Sequence, residues 1–383
     1  MKESYLDNAA TTPLSPQVRE AISAALTLYA NPASLHRPGV EAEKQVDAAR
    51  ENVARLLGVS PASLVFTSGG TEANNLAIKG FLARSRQRGR LVTSRVEHPS
   101  VLEVFKELES RGYEVLYLPV DDRCQVQLSA LEEALAEPVK LVSIMAVNNE
   151  TGAIQPIKEI VNLVRAKQPE VCIHVDAVQA LGKIPVRPRE LGVNLVSISA
   201  HKIHGAKGTG ALYADRRDLL LPLIHGGGQE AGLRSGTENT LGIIGFGCAA
   251  REAEANMAAN QGHVTGLRHQ FLQGLQNLPC KVISPADGVP YIVAVSFPGF
   301  RGEVLLHALS AYGVYVSTGA ACSGKKGQMS HVAEAMGLDR ETAEGLLRFS
   351  FSALTTEREV EYAVQKIRQV LADLSFVRGR GSR

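Results

Sequence analysis

Residues 197–213 read SISAHKIHGAKGTGALY. An apolar run from Val193 to Ile198 meets His201 and Lys202, a glycine-rich turn follows from Gly205 to Gly210, and a second apolar run comes after it. A lysine where a buried strand meets a flexible loop is expensive to keep charged, because burial strips the ammonium of water. Either it lies at the surface or its amine is a chemical tool. What stands at the ends of the other strands decides between the two.

Short apolar, β-branched runs recur at Leu64–Phe66, Leu91–Thr93, Val115–Leu118, Leu141–Val147, Val171–Val175 and Leu195–Ile198. Most are continuous rather than alternating, which predicts strands buried on both faces. Amphipathic segments at 71–83, 99–111, 129–137 and 156–168 lie between most of them. This rhythm predicts an α/β fold, a mostly parallel sheet with helices on both faces, and ligands at the carboxyl ends of the strands. Past about residue 250 the rhythm changes. A long alanine-rich helix (about 240–278) precedes strands near 281–284 and 291–297, then a helix at 302–311. A glycine-rich loop at 317–327, a strand at 346–352 and a helix at 356–373 complete what reads as a smaller α+β domain. The division expected is 12–250 for a large domain, with 1–11 and 251–383 forming the small one.

Composition narrows the class. The chain has 383 residues, 45% apolar and 21% charged, with a net charge of +2. That suits a globular protein of two domains and gives no electrostatic case for nucleic acid or a membrane surface. The opening MKESYLDNAA lacks a signal-peptide core, and no apolar run approaches the ~20 residues that span a bilayer. The basic RGRGSR end reads as a short solvated tail. Five cysteines, odd in number and scattered, form no CxxC pair, and there is no HExxH. Neither a disulfide framework nor a metal site is expected, and a reducing cytoplasm is.

The strand ends carry a set. After Phe66 comes TSGGTEANN, in which a Gly-Gly-Thr turn opening a helix presents backbone N–H groups at a positive helix end. EHPS carries His98, NNETG follows Val147, DAVQ places Asp176 at the end of a buried strand, and SAHK brings Ser199, His201 and Lys202. Taken singly, each has an ordinary explanation: a helix cap, an exposed histidine, turn-forming asparagines. A buried carboxylate, however, needs a cationic partner. Phosphate cradle, flat histidine, buried aspartate and strand-end lysine at one sheet edge are together what pyridoxal phosphate requires. The lysine amine would form a Schiff base with the aldehyde, and the carboxylate would keep the ring nitrogen protonated so that the ring is an electron sink.

With these residues in place the sequence resembles the class V aminotransferase-fold family, and within it the cysteine desulfurases of the NifS/IscS type. YLDNAATTP at 5–13, FTSGGTEANNLAIKG at 66–80, EHPSV, VNNETG, SAHKIHGAKGTG, RSGTEN and RFSFS follow in family order over nearly the whole chain. The resemblance implies the fold type I architecture with a seven-stranded sheet. It also implies roles. Lys202 would be the Schiff-base lysine, Asp176 would hold the ring nitrogen, His98 would stack on the ring and Gln179 would bond its hydroxyl. Gly70, Thr71, Ser199 and His201 would hold the phosphate. Asn149 would lie near ring and substrate, Arg348 would grip the substrate carboxylate, and Thr237 would reach the phosphate of a neighbouring subunit, making a homodimer.

Fold does not choose among the chemistries of such enzymes. The stretch STGAACSGKKGQMSH at 317–331 does: Cys322 sits between Gly319 and Gly324, with Lys325 and Lys326 favouring its thiolate. Cys172 and Cys248 read as inert core, Cys124 as a turn residue and Cys280 as a strand start. The resemblance implies that Cys322 accepts sulfur from L-cysteine, leaving alanine, and passes it to acceptors such as an iron–sulfur scaffold or tRNA-modifying enzymes. Selenocysteine or cystine lyase chemistry is the alternative within the family. A serine hydrolase lacks its GxSxG, a dinucleotide-binding oxidoreductase its GxGxxG, and intact Lys202, Asp176 and His98 argue against a cofactor-free accessory protein. The stretch after RFSFS is shorter than in housekeeping members, where it helps dock the scaffold, and His204 stands where a tyrosine or phenylalanine is expected.

Overall fold

The computed structural model describes residues 3–84, 89–318 and 329–381. In chain order the strands are β1 (Ser4–Tyr5), β2 (Leu64–Thr67), β3 (Arg90–Ser94), β4 (Val115–Leu118), β5 (Val139–Met145), β6 (Cys172–Asp176), β7 (Leu195–Ser199), β8 (Gly210–Ala214), β9 (Lys281–Val282), β10 (Ile292–Ser296), β11 (Val314–Tyr315) and β12 (Leu346–Ser350). The helices are α1 (Pro16–Ala25), α2 (Arg37–Leu57), α3 (Gly70–Asn75), α4 (Pro99–Ser110), α5 (Leu128–Ala134), α6 (Ile157–Lys167), α7 (Pro188–Leu191), α8 (Thr240–Gly274), α9 (Gly302–Ala311), α10 (His331–Ala335), α11 (Arg340–Glu344) and α12 (Glu357–Gly381).

The main sheet has seven strands in the order β2-β8-β7-β6-β5-β3-β4. β3 to β7 pair in parallel, as the sequence predicts, while β8 runs antiparallel to both β2 and β7. The second apolar run of the opening stretch is this reversed strand. Its direction has a simple cause: only residues 200–209 separate it from β7. A parallel crossover needs roughly a dozen residues or more, so the chain turns back beside the strand it has left.

Apart from the half-buried edge strand β4, the strands of this sheet are buried on both faces, and successive side chains divide between two cores. Leu64 and Phe66 of β2, Val142 of β5 and Val196 of β7 pack with Val53 and Leu57 of α2, Ile160 of α6 and Phe246 of α8. Their neighbours Val65, Leu141 and Leu195 face Leu76, Val101, Phe105 and Leu108 on the opposite side. Each such side chain contributes roughly 1.5–3 kcal/mol by leaving water. A small polar cluster sits inside. His174 in β6 bonds Ser143 Oγ through Nδ1 at 2.8 Å and Ser197 Oγ through Nε2 at 2.9 Å. Burial pushes its pKa down to about 3, so it stays neutral.

Helix boundaries follow local chemistry. Ser15 caps α1 by accepting from Val18 N at 3.1 Å, with Pro16 at the first helical position, and α2 ends at Gly58 with φ 67°. α3 continues as a wider, π-helical turn over Leu76–Gly80. α8 packs against α2 at Gly247, where a Cβ would lie 2.4 Å from Ala49 Cα, so only glycine permits that approach. Its far end meets α12, where Gly274 lies against Val364. A boundary at residue 250 would therefore fall inside this helix.

β9, β10 and β12 form a separate antiparallel sheet, and β1 pairs in parallel with β11. The N-terminal residues thus join the C-terminal ones. Leu6 N donates to Tyr315 O at 2.8 Å, and Asn8 Nδ2 donates to Ser350 O at 2.8 Å. Among the described residues no helix is long and apolar enough to cross a membrane.

Candidate active site

At the carboxyl ends of the parallel strands lies a cavity of about 300 Å³. Its wall is built loop by loop. The turn after β2 supplies Gly70 and Thr71, the turn after β3 supplies His98, and the loop after β5 supplies Asn149. β6 ends in Asp176 and leads to Gln179; β7 ends in Ser199 and leads to His201 and Lys202. Arg348 of β12 closes one side. Ten residues singled out in the sequence therefore line one space. Thr237 does not: it is exposed and lies outside this wall. Cys322 lies outside the described residues.

Lys202 Nζ donates to Ala9 O at 2.6 Å and to Ala10 O at 2.8 Å. The ammonium is thus held by main-chain carbonyls of the N-terminal segment. Across the cavity, Asp176 is 5% exposed, and its two oxygens accept from Val178 N at 2.9 Å and from Asn74 Nδ2 at 2.8 Å. Asn74 also donates to Ser100 Oγ at 2.8 Å. Those hydrogen bonds fix the carboxylate in orientation without neutralising it.

His98 is the N-cap of α4. Its Nδ1 accepts from Ser100 N at 3.1 Å, which leaves Nε2 to carry the proton of a neutral ring. Burial lowers its pKa, against the opposing pull of Asp176. His201 is pushed down to about 4 by burial and then by Lys202. Both imidazoles are neutral at physiological pH.

Two glycines beside the cavity permit close packing. A Cβ on Gly210 would lie 2.7 Å from the Gly69 main chain, and one on Gly70 would lie 2.7 Å from Val178 Cγ2. Ser199 Oγ is buried in the cavity wall with no hydrogen-bond partner among the described residues. An orphaned hydroxyl is rare inside a protein and points to a ligand atom that satisfies it.

Sequence reasoning missed the second circle of residues. Asn74 was hidden in a helix that reads as ordinary amphipathic surface. Asp7, whose Oδ1 accepts from Arg348 Nη2 at 2.8 Å, gave no local signal because its partner is 341 residues away. Two buried carboxyls also flank the site. Burial pushes Glu97 up to about 8 and Glu150 up to about 7. Ser330 Oγ donates to Glu150 Oε2 at 2.6 Å, and His331 Nε2 donates to the Glu97 carbonyl at 3.0 Å. No group of three or more His, Cys, Asp or Glu side chains suited to a metal occurs among the described residues.

The fold and the strand-end constellation define a class, and residues 4–363 match it as the family Aminotransferase class-V. A cysteine desulfurase IscS from Vibrio vulnificus is 43% identical over 379 residues, covering 97% of this chain and 93% of that protein. A solved NifS-like protein superposes with a TM-score of 0.92 at 42% identity, covering 97% of this chain and all of the other. A structure titled SspA in complex with cysteine superposes with a TM-score of 0.81 at 33% identity, over 92% of this chain and all of the other. The chain belongs to the class V aminotransferase family, in its branch of IscS/NifS-type cysteine desulfurases, a family of pyridoxal phosphate-dependent enzymes.

Proposed function

We propose that this protein is a pyridoxal phosphate-dependent cysteine desulfurase that moves the sulfur of L-cysteine onto Cys322 and releases L-alanine. One observation carries the reading: Lys202, Asp176, the orphaned Ser199 hydroxyl and Arg348 line the same cavity of about 300 Å³. Amine, buried carboxylate, phosphate donor and carboxylate fork are the groups that the cofactor and an amino acid would need together.

Pyridoxal phosphate, when bound, supplies an aldehyde carbon that takes up amines and a protonated ring that draws electrons from the α-carbon of the amino acid. The chain does the rest. Asp176, anchored by Asn74 and Val178 N, holds the proton on the ring nitrogen. His98 would cover the ring face, Gln179 would meet its hydroxyl, and Asn149 would lie by the ring and substrate. Ser199, His201, Gly70 and Thr71 hold the phosphate, joined by Thr237 of the partner subunit in a homodimer. Exposure of Thr237 on the outside of its own chain supports that last role. Arg348 presents a planar fork that suits the substrate carboxylate. Lys202 Nζ, as a neutral amine at that stage, would take the α-proton.

The sulfur step belongs to Cys322. Its thiolate attacks the substrate sulfur, an S–S bond forms, the carbon–sulfur bond breaks, and the electron pair left on carbon is taken up by a proton to give alanine. The resulting persulfide passes to an acceptor, with an iron–sulfur scaffold as the first candidate and a tRNA-thiolating enzyme as the second. A cytoplasmic setting keeps that thiol reduced between turnovers. Residues 12–250 act as the cofactor-binding unit, and 1–11 with 251–383 as the smaller unit that carries the cysteine loop.

Mass spectrometry of the protein after mixing with L-cysteine tests the reading. The expected result is the mass of one added sulfur on the peptide containing Cys322, with alanine in stoichiometric amount. Alanine formed with no sulfur on that peptide would overturn the assignment.

A further inference from the structure

Lys183 has no part in the scheme above, yet it is 6% exposed and close to the site. It lies four residues after Gln179 on the helical turn that follows β6. Its Nζ donates to Gln179 Oε1 at 2.7 Å. Gln179 Nε2 in turn donates to Ala9 O at 2.8 Å, the same carbonyl that Lys202 Nζ reaches at 2.6 Å. A carbonyl only accepts, so Ala9 O fixes the amide nitrogen on its side, and the amide oxygen is left facing the Lys183 Nζ donor. Nε2 has two hydrogens. With one on Ala9 O, one N–H is left for the cavity that Gln179 lines.

We propose that Lys183 is a positioning residue, which holds the Gln179 amide so that it offers only a hydrogen-bond donor to the ring hydroxyl oxygen of pyridoxal phosphate. The inference rests on the cofactor reading given above. A donor favours the ionised form of that oxygen, whereas a flipped amide would face it with a carbonyl and favour the protonated form. Donation from Lys183 to Oε1 also polarises the amide and strengthens its N–H as a donor.

Stability does not explain this lysine. A buried ammonium is poorly solvated, and an apolar side chain of similar length would pack there without the penalty. Burial first, then Lys202 and Arg348, pulls its pKa down to about 7. Other groups also face it. His201 and His204 feel its charge, and its Nζ lies 5.9 Å from the centre of the Tyr291 ring. Lys183 and Lys202 both line a second cavity of about 230 Å³, with His204, Glu252 and Tyr291 on its wall. That space gives a longer donor at position 183 room to settle.

The test uses the cofactor-loaded protein and its Lys183→Met, Lys183→Arg and Gln179→Leu variants. Absorbance of the bound cofactor is titrated against pH, cofactor Kd is measured, and melting of each apoprotein reports folding. In Lys183→Met the titration midpoint is expected to rise by about one pH unit. Its Kd is expected to rise about fivefold, while Lys183→Arg stays near the parent value. Combining Lys183→Met with Gln179→Leu should add nothing to Gln179→Leu alone, because the lysine acts through the amide. An unmoved midpoint in a folded Lys183→Met protein, or a full additional shift in the double variant, would overturn the proposal. Failure of the parent protein to bind pyridoxal phosphate at all would instead sink the cofactor reading.

Discussion

Arg348 and Asp7 are joined by a hydrogen-bonded ion pair of 2.8 Å that spans almost the full length of the chain. Nη1 of the same guanidinium donates to the Asn149 carbonyl at 2.9 Å, and Nε is buried with no partner among the described residues. The arginine is thus set in the cavity wall by two fixed oxygens, one from the N-terminal segment and one from the loop after β5. Its plane is decided before any carboxylate arrives.

Replacement by lysine tests what that plane is for. Arg348→Lys keeps the charge and loses the fork, which removes about 2 kcal/mol of charge-assisted hydrogen bonding. KM for L-cysteine should rise about 30-fold in steady-state assays, with a smaller change in kcat. An unchanged KM would remove Arg348 from substrate binding. Asp7→Ala should behave differently, since it leaves a buried guanidinium without its counter-charge. A loss on the order of 3 kcal/mol in urea unfolding is expected.

Lys202→Ala removes the amine at the strand end. The expected outcome is a protein that folds, judged by circular dichroism, but turns over L-cysteine more slowly by a factor of about 10³ or more. Turnover within tenfold of the parent would show that another group does the work.

Cys322→Ala separates cofactor chemistry from sulfur delivery. The variant should bind pyridoxal phosphate and L-cysteine, with spectral changes on mixing, and yield no protein-bound persulfide. Undiminished sulfide release by this variant in the presence of dithiothreitol would refute the role given to Cys322.

Glu97 gives a prediction about pH. Burial raises its pKa from the usual 4.5 to about 8, and its Oε2 has no hydrogen-bond partner among the described residues. The folded protein therefore holds a proton that the unfolded chain releases above about pH 4.5. Stability from this group is complete below that value and is lost as pH rises through 8. Glu97→Gln resembles the protonated form. It should leave stability at pH 4 nearly unchanged and raise it at pH 8.5 by on the order of 4–5 kcal/mol, read from urea unfolding. Parallel pH profiles for parent and variant would contradict the shift.

Much of this architecture was legible in the chain. Continuous apolar runs such as Leu141–Val147 marked strands buried on both sides, and the split of Leu141 and Val142 between two cores is the reason they look continuous. The residues after those runs gave most of the cavity wall, because a parallel sheet collects its carboxyl ends at one edge. The direction of β8 was not legible, since composition carries no sign of strand polarity; the shortness of the 200–209 link is what sets it. Asn74 and Asp7 were missed for a related reason. Each matters through a partner far away in sequence, Asp176 and Arg348, and one chain read in order contains no record of such pairs. Helix ends drifted by a few residues, as at α5, where fraying turns lie beyond the last full hydrogen bond.

The stitching of the first residues to β12 has a consequence for biosynthesis. The carbonyls of Ala9 and Ala10 that hold Lys202, and Asp7 beside Arg348, are set in place by bonds such as Asn8 Nδ2 to Ser350 O. Until β12 has been synthesised, Asn8 lacks the Ser350 carbonyl and Asp7 lacks Arg348. The parallel sheet can form early, but the pocket is finished only once β12 has joined it.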